Sequence, residues 1–205
     1  MGKFLRGKEE SIALHRKLIA FFNYSPYLDF LAGLELNSLI RADLWSTLPR
    51  IRSASVIGPA NPPKEVDGFV IVADSALNSY SGRYDMIVTD LDGPANLILR
   101  GNTLKVVHAH GDNIERIVNL VPRIEGSVLG TTQSIPVGSV RNIGGFTDGD
   151  RSVIMAVLMG AERVKIYGFD FENPVDEPKD KKIMKMKVAK DILNNIRDVE
   201  ISFEK

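Results

Sequence analysis

The sequence predicts an α/β protein with a mostly parallel sheet and helices on both faces. From about residue 53 onward, short apolar segments alternate with segments of helical periodicity, which is typical of strands that pair in parallel. Each apolar segment also ends in small or polar residues, and the carboxyl ends of parallel strands lie at one edge of a sheet. We therefore expect a Rossmann-like fold whose polar residues collect along that edge. The predicted strands are residues 54–57, 68–72, 84–89, 104–107, 127–129, 163–167 and 199–203.

Helical segments are predicted before the first strand and between the later ones. Residues 8–23 and about 27–48 place apolar side chains at helical spacing, so we predict an N-terminal helical segment over residues 1–50. Trp45 is expected to pack this segment on the main body. The remaining residues, 51–205, are expected to form a single compact α/β domain. Further helices are predicted at about residues 113–121, 148–160 and 181–196, and a charged, proline-rich loop at residues 171–182.

Composition excludes several classes of function. Hydrophobic residues make up 44% of the 205 residues, which is enough to bury a substantial core. Lysine plus arginine equals aspartate plus glutamate, 26 each, so no net field attracts nucleic acid or a membrane surface. The chain has no cysteine, which excludes disulfides, thiolate catalysis and cysteine-ligated metals. The N-terminus lacks the continuous apolar run of a signal peptide, and we expect a cytoplasmic protein.

The segment YDMIVTDLDG, residues 84–93, predicts a buried strand that delivers two carboxylates into a glycine turn. These carboxylates are Asp90 and Asp92. Buried carboxylates are costly unless they are paired or hold a metal, and Mg²⁺ is commonly bound by one or two carboxylates together with substrate phosphates. For an isolated pair, capping of the following turn would be the simpler interpretation. Here other polar strand ends accompany the pair, which favours a metal site.

A second motif, HAHGDN at residues 108–113, also follows a predicted strand. His108 and His110 point to the same face if the strand continues, and they could bind zinc only with further ligands. We favour contacts from neutral imidazoles to phosphate or substrate, with Asp112 as a metal ligand. The alternative is a hydrogen-bonded turn in which Asp112 or Asn113 caps the next helix.

A third motif is the glycine-rich turn NIGGFTDGDR, residues 142–151, which leads into an apolar helix. Free amides at a helix start, together with the helix dipole, form an anion site, and Arg151 could bind phosphate oxygens bidentately. Capping by Thr147 or Asp148 is the alternative, although the turn is richer in glycine and charge than capping requires. Neither a Walker A loop nor the G-x-G-x-x-G dinucleotide fingerprint occurs, which disfavours both of those site types.

Taken in order, TDLDG, HAHGDN, GTTQ, GGFTDGDR and a strand ending in YGFDF resemble the archaeal 6-hydroxymethyl-7,8-dihydropterin diphosphokinase family over about residues 53–171. A more distant likeness is to thiamin diphosphokinases, whose A-D-G-G-A-N, G-D-F-D-S and T-D-x-x-K motifs correspond to residues 73–78, 89–93 and 147–151. Two departures from the family's motifs lie near the predicted nucleotide or pterin pocket. The turn after the first strand is GPANPP instead of G-x-G-P-S-L, and Ser75 replaces a glycine.

The resemblance implies transfer of a diphosphoryl group from ATP to the pterin's hydroxymethyl oxygen, releasing AMP, in the biosynthesis of a folate- or tetrahydromethanopterin-type coenzyme. Asp90 and Asp92 would hold Mg²⁺ with Asp112 or Asp148, while Arg151 offsets phosphate charge. The proton acceptor would be an aspartate or His110. The candidate nucleotide- and pterin-binding residues are Asp74, His108, Asn113, Thr131, Thr132, Gln133, Gly144, Gly145, Thr147, Asp148 and Asp150.

The expected partners are small molecules, ATP and a reduced pterin, without nucleic acid or membrane. The N-terminal helices are the candidate interface of a homodimer. Two other interpretations stay open at this point. One is a thiamin diphosphokinase, and the other is a non-catalytic nucleotide-binding module that depends on Mg²⁺.

Overall fold

The computed structural model describes residues 24–169 and 179–204, with side chains from residue 183 in the second range. The helix predicted at residues 8–23 and most of the loop predicted at 171–182 lie outside the described residues. Within them, no helix is long and apolar enough to cross a bilayer.

The described strands form one eight-stranded sheet in which all strand pairs are parallel. Its order is β6-β5-β4-β3-β2-β1-β7-β8, so the predicted parallel α/β fold is confirmed. The shortest strand, β6, was not predicted. The strands are β1 Ser53–Ile57, β2 Phe69–Ala73, β3 Met86–Thr89, β4 Leu104–Ala109, β5 Val128–Thr132, β6 Val140–Arg141, β7 Arg163–Tyr167 and β8 Glu200–Glu204.

Five α-helices lie among the described residues: α1 Pro26–Leu39, α2 Ala95–Ile98, α3 Ile114–Leu120, α4 Asp148–Leu158 and α5 Lys179–Asn194. Ser25 caps α1, and Pro26 is its first residue, where a missing N–H costs nothing. The prediction that this helix continues to Leu48 is wrong, because Ile40 is already extended. The chain after α1 is held by Trp45, whose indole N–H donates to the Ser139 carbonyl at 2.8 Å.

The sheet separates two apolar cores, because alternate residues of each buried strand point to opposite faces. Val56, Ile71 and Val88 pack under α4 on one face. The residues next to them in the sequence, including Val72 and Ile87, point to the other face and pack with α1 and α3. The predicted buried helix is confirmed, since every residue of α4 from Gly149 to Val157 is buried.

The strand order reverses at β1, because the chain runs outward from β1 to β6 and then returns to place β7 on the other side of β1. Ligands of open α/β sheets bind in the crevice at such a reversal. Here the backbones stay paired beyond the strands, with Gly58 N donating to Tyr167 O at 2.7 Å and Ala60 N donating to Gly168 O at 2.9 Å. A Cβ atom at Gly58 or Gly149 would overlap the ring of Phe169, which therefore lies directly against the start of α4.

Candidate functional site

Three carboxylates meet at the carboxyl edge of the sheet. Asp74 follows β2, Asp90 follows β3 and Asp148 is the first residue of α4. One oxygen of each lies within 4.8 Å of an oxygen of the other two. These residues come together because β2 and β3 are parallel neighbours and α4 begins above the same edge. Asp90 and Asp148 are predicted metal ligands, whereas Asp74 is a residue predicted to bind the nucleotide or the pterin.

Asp74 has a carboxylate oxygen that the fold leaves without a partner. The residue is 2% exposed, and its Oδ1 accepts a hydrogen bond from the Thr89 hydroxyl at 2.6 Å. That hydroxyl accepts in turn from the Leu91 N–H at 2.8 Å, so its own proton is directed at Asp74. Asp74 Oδ2 is buried and has no hydrogen-bond partner among the described residues. An unsatisfied buried oxygen is costly, and a bound cation would satisfy it.

The TDLDG turn is shaped to bring Asp74 and Asp90 close. A Cβ atom at Gly93 would lie 2.6 Å from Asp74 Oδ1, so only glycine lets the Asp74 carboxylate approach this turn. Leu91 adopts a φ of 68°, which is rare for a residue of its kind. Its side chain is buried in the α1-side core, which holds this conformation in place.

The pKa values of the three carboxylates are shifted in different directions. Burial, the neighbouring Asp92 side chain and the charge of Asp148 raise the pKa of Asp74 to about 10. Burial and the charge of Asp90 raise the pKa of Asp148 well above its usual value. Burial opposes ionisation of Asp90 as well, but hydrogen bonds with His110 and Asp92 outweigh it and lower the pKa of Asp90 to about 2. At neutral pH Asp90 is therefore ionised, while Asp74 holds a proton that a metal ion would displace.

Arg151 supplies the positive charge of the site. Its side chain is almost completely buried, and Nη1 lies 2.9 Å from Asp148 Oδ1. The Nε atom is buried and has no hydrogen-bond partner within the described ranges. Arg151 is thus a buried guanidinium beside the three carboxylates, and one of its N–H donors is not used by the described residues. Such a group can bind an anion that shares the site with a cation.

The glycine-rich turn is used differently from the sequence prediction. Gly144 and Gly145 have φ values of 83° and 84°, which favour glycine. The Gly144 N–H donates to Asn142 Oδ1 at 3.0 Å. The Asp150 carboxylate accepts from Phe146 N at 2.7 Å, from Thr147 N at 2.6 Å and from the Thr147 hydroxyl. The chain's own Asp150 therefore occupies two of the amides at the start of α4, those of Phe146 and Thr147.

The HAHGDN motif places one side chain, that of His110, next to the three clustered carboxylates of Asp74, Asp90 and Asp148. His110 Nε2 lies 3.4 Å from Asp90 Oδ2, and His110 Nδ1 accepts from Asp112 N at 3.3 Å. The Asp112 side chain is 70% exposed and lies outside the group formed by Asp74, Asp90 and Asp148. His108 and His110 do lie on one side, with ring centroids 6.0 Å apart. Among the described residues, however, neither joins a group of three metal-ligating side chains.

Several residues predicted to bind substrates use their polar groups for hydrogen bonds within the fold. The Thr131 hydroxyl lies 3.1 Å from His108 Nδ1 and donates to Val107 O at 3.3 Å. Thr132 Oγ1 accepts from Ser134 N at 3.1 Å. Asp92 is the exposed carboxylate of the site, and its N–H donates to Asp90 Oδ1 at 3.3 Å. Sequence reasoning missed the hydroxyl of Thr89, which it treated only as a strand residue.

Asn113 and Gln133 are likewise bound within the fold. Asn113 donates to Asp90 O at 2.8 Å and His108 O at 2.7 Å, and Gln133 Nε2 donates to Asp29 Oδ2 at 2.7 Å. Sequence reasoning also missed Asp29, a buried carboxylate in the first turn of α1. Nothing in the helical pattern distinguishes Asp29 from a solvent-exposed acid.

The pKa of Asp74 leads to a stability prediction. The folded protein keeps the Asp74 proton until the pH approaches about 10, whereas the unfolded chain releases it near pH 3.8. The raised pKa therefore contributes stability that is complete below pH 3.8 and is lost as the pH rises toward about 10. In the presence of EDTA, Asp74→Asn should remove this loss and stabilise the protein at pH 8 by about 1–3 kcal/mol. Urea unfolding at pH 5 and pH 8 measures the effect. Equal pH slopes for the two proteins would contradict it.

No protein-family model matches the chain. Three archaeal relatives do, each named 6-hydroxymethyl-7,8-dihydropterin pyrophosphokinase. The relative from Methanothermobacter thermautotrophicus is 48% identical over 90 residues, that from Pyrococcus furiosus 40% over 148 residues and that from Methanocaldococcus jannaschii 36% over 160 residues. In that order the matches cover 42%, 69% and 66% of this chain, and 38%, 61% and 66% of the relatives' own lengths. The family suggested by the motifs is thereby confirmed: the chain belongs to the family of these archaeal proteins named 6-hydroxymethyl-7,8-dihydropterin pyrophosphokinase, and it spans less than two thirds of the length of the first two.

Proposed function

We propose that the protein is a Mg²⁺-dependent diphosphokinase that transfers a diphosphoryl group from ATP to 6-hydroxymethyl-7,8-dihydropterin and releases AMP. Its product would enter the biosynthesis of a folate- or tetrahydromethanopterin-type coenzyme. The observation that carries the proposal is the meeting of three carboxylates with a buried arginine at the carboxyl edge of the sheet. The names of the archaeal relatives supply the acceptor.

Asp74, Asp90 and Asp148 are the residues that would hold the ion. Three carboxylate oxygens form a hard donor set of the kind that Mg²⁺ prefers, and the unpartnered Asp74 Oδ2 favours a cation at this place. When bound, Mg²⁺ supplies charge neutralisation for phosphate oxygens. Asp92, at the exposed side of the same turn, is available to substrate and solvent.

The reaction needs positioning and charge stabilisation more than covalent chemistry. The pterin's hydroxymethyl oxygen attacks the β-phosphorus of ATP, the bond from that phosphorus to the α-phosphate oxygen breaks, and AMP leaves with the electron pair. Arg151, with Nε unengaged among the described residues, is placed to stabilise negative charge on the transferred group. The hydroxyl proton passes to a carboxylate, for which Asp92 is the exposed candidate.

A product assay tests this function. The protein is incubated with ATP, Mg²⁺ and 6-hydroxymethyl-7,8-dihydropterin, and the products are separated by chromatography beside a parallel reaction with thiamin. We expect equal amounts of AMP and pterin diphosphate, and no thiamin diphosphate. ADP as the sole nucleotide product would exclude diphosphoryl transfer. Mg²⁺-dependent ATP binding without turnover of either acceptor would indicate a non-catalytic nucleotide-binding module instead.

A further inference from the structure

We propose that the turn His110–Asn113 is a clamp on Asp90, and that His110 positions the Asp90 carboxylate rather than accepting the substrate's proton. The clamp holds Asp90 at two points, its backbone carbonyl and its side chain. This inference rests on the proposed function, because it assumes that Asp90 is a metal ligand. It gives a role to the HAHGDN motif that is neither a zinc site nor a substrate contact.

The backbone half of the clamp is Asn113, which is completely buried. Its amide nitrogen donates one hydrogen bond to the Asp90 carbonyl at 2.8 Å and another to the His108 carbonyl at 2.7 Å. Its amide oxygen accepts from His110 N at 3.0 Å. Asn113 thus ties the residue after β3 to the end of β4, and both of its amide hydrogens are used in doing so.

The side-chain half of the clamp is His110. Because Nδ1 accepts a hydrogen bond from Asp112 N, the proton of the neutral ring must be on Nε2. Nε2 lies 3.4 Å from Asp90 Oδ2, so the nitrogen that carries the proton is beside the carboxylate. A general base needs a free lone pair directed at the substrate. In this arrangement one ring nitrogen accepts from the backbone and the other faces Asp90, which leaves no lone pair for that role.

The clamp is anchored from the far side by α1. Asp29 Oδ1 accepts from Gly111 N at 2.8 Å, and the residue is 2% exposed. A Cβ atom at Gly111 would lie 2.6 Å from Leu28 Cβ, so the turn rests directly on the first turn of α1. Groups that hydrogen-bond to metal ligands and orient them typically contribute about 10- to 100-fold to metal affinity or activity. His110 and Asn113 are such groups for Asp90, and Asp29 holds their turn in place.

Two substitutions of His110 separate positioning from base catalysis. His110→Gln keeps a donor near the position of Nε2, whereas His110→Asn keeps an acceptor near Nδ1 and loses the donor toward Asp90. The measurements are the dissociation constant of Mn²⁺, followed by electron paramagnetic resonance without substrates, and the kcat of the pterin reaction at saturating Mg²⁺. Glu115→Gln, an exposed acid at the start of α3, controls for loss of nearby charge and should bind Mn²⁺ like the wild type.

We expect His110→Gln to keep Mn²⁺ affinity close to the wild-type value and His110→Asn to weaken it by about 10- to 100-fold, with kcat partly restored at high Mg²⁺. Equal loss of kcat in both variants with unchanged Mn²⁺ affinity would overturn the clamp and make His110 a base. Absence of any Mn²⁺ binding by the wild type would overturn it too. If the wild type binds Mn²⁺ in the expected pattern but does not turn over the pterin, the clamp stands and the proposed function fails. If unfolding curves show that His110→Asn is misfolded, the His110→Gln result alone decides.

Discussion

Replacing Asp90 with asparagine should lower kcat for the pterin reaction by more than about 100-fold. The reason is that Asp90 is ionised at neutral pH, because His110 and Asp92 lower its pKa to about 2. Loss of a direct metal ligand should cost more than loss of the groups that orient it, which is typically about 10- to 100-fold. Steady-state assays of AMP and pterin diphosphate formation measure the change, with Mg²⁺ varied to separate weaker metal binding from slower chemistry.

The matched variant is Asp112→Asn, in which the same chemical change falls on a carboxylate three residues from the end of β4. Because its side chain is 70% exposed and outside the carboxylate group, we expect kcat to stay within about twofold of wild type, as for most surface substitutions. The reverse pattern, an inactive Asp112→Asn and an active Asp90→Asn, would favour a ligand set centred on the HAHGDN motif.

Arg151→Lys should lower kcat by about 10²- to 10³-fold, the usual cost of removing one donor to charge that develops in a transition state. Lysine keeps the positive charge, but it cannot pair with Asp148 through one nitrogen and present a second donor in a fixed plane. Mn²⁺ affinity should change much less than kcat, since the charge beside the carboxylates is retained. Kinetics at saturating Mg²⁺ and Mn²⁺ binding measure the two effects separately.

Arg141→Lys is the control for this substitution. Arg141 is a partly exposed arginine of β6 that lies 5.0 Å above the Trp45 ring and 3.5 Å from an Asp43 oxygen. Its replacement should leave kcat within about twofold of wild type. Equal kcat for wild type and Arg151→Lys would mean that Arg151 has only a structural part in the site, which would remove the proposed role in charge stabilisation.

Much of the fold could be predicted from the pattern of apolar residues along the sequence. Strands buried on both faces read as continuous apolar runs, and that is how β1 to β4 were recognised. The two residues of β6 are too few to carry any period. The end of α1 was misplaced because Leu44 and Leu48 continue a helical spacing. The chain nevertheless turns at Ile40, whose side chain packs beside Gly130, a contact with no local signal.

The residues of the candidate site could be predicted where the end of a strand fixes their position. Asp90 and Asp148 could be assigned to one edge because parallel strands and the helices between them fix that edge. Asp112 could not, since it lies in a turn after β4, where alternation no longer sets the direction of a side chain. The sequence also could not reveal that Asp150 would accept the amides of the glycine-rich turn, because an internal carboxylate and a ligand phosphate satisfy the same donors.

The central claim is that Asp74, Asp90 and Asp148 hold one divalent ion. It is tested most directly by anomalous diffraction from crystals of the protein soaked with Mn²⁺ and an ATP analogue. The account predicts a single strong peak within coordination distance of all three carboxylates, and its loss in crystals of Asp90→Asn. A peak at Asp112 and the histidines instead, or no peak among the three carboxylates, would contradict it.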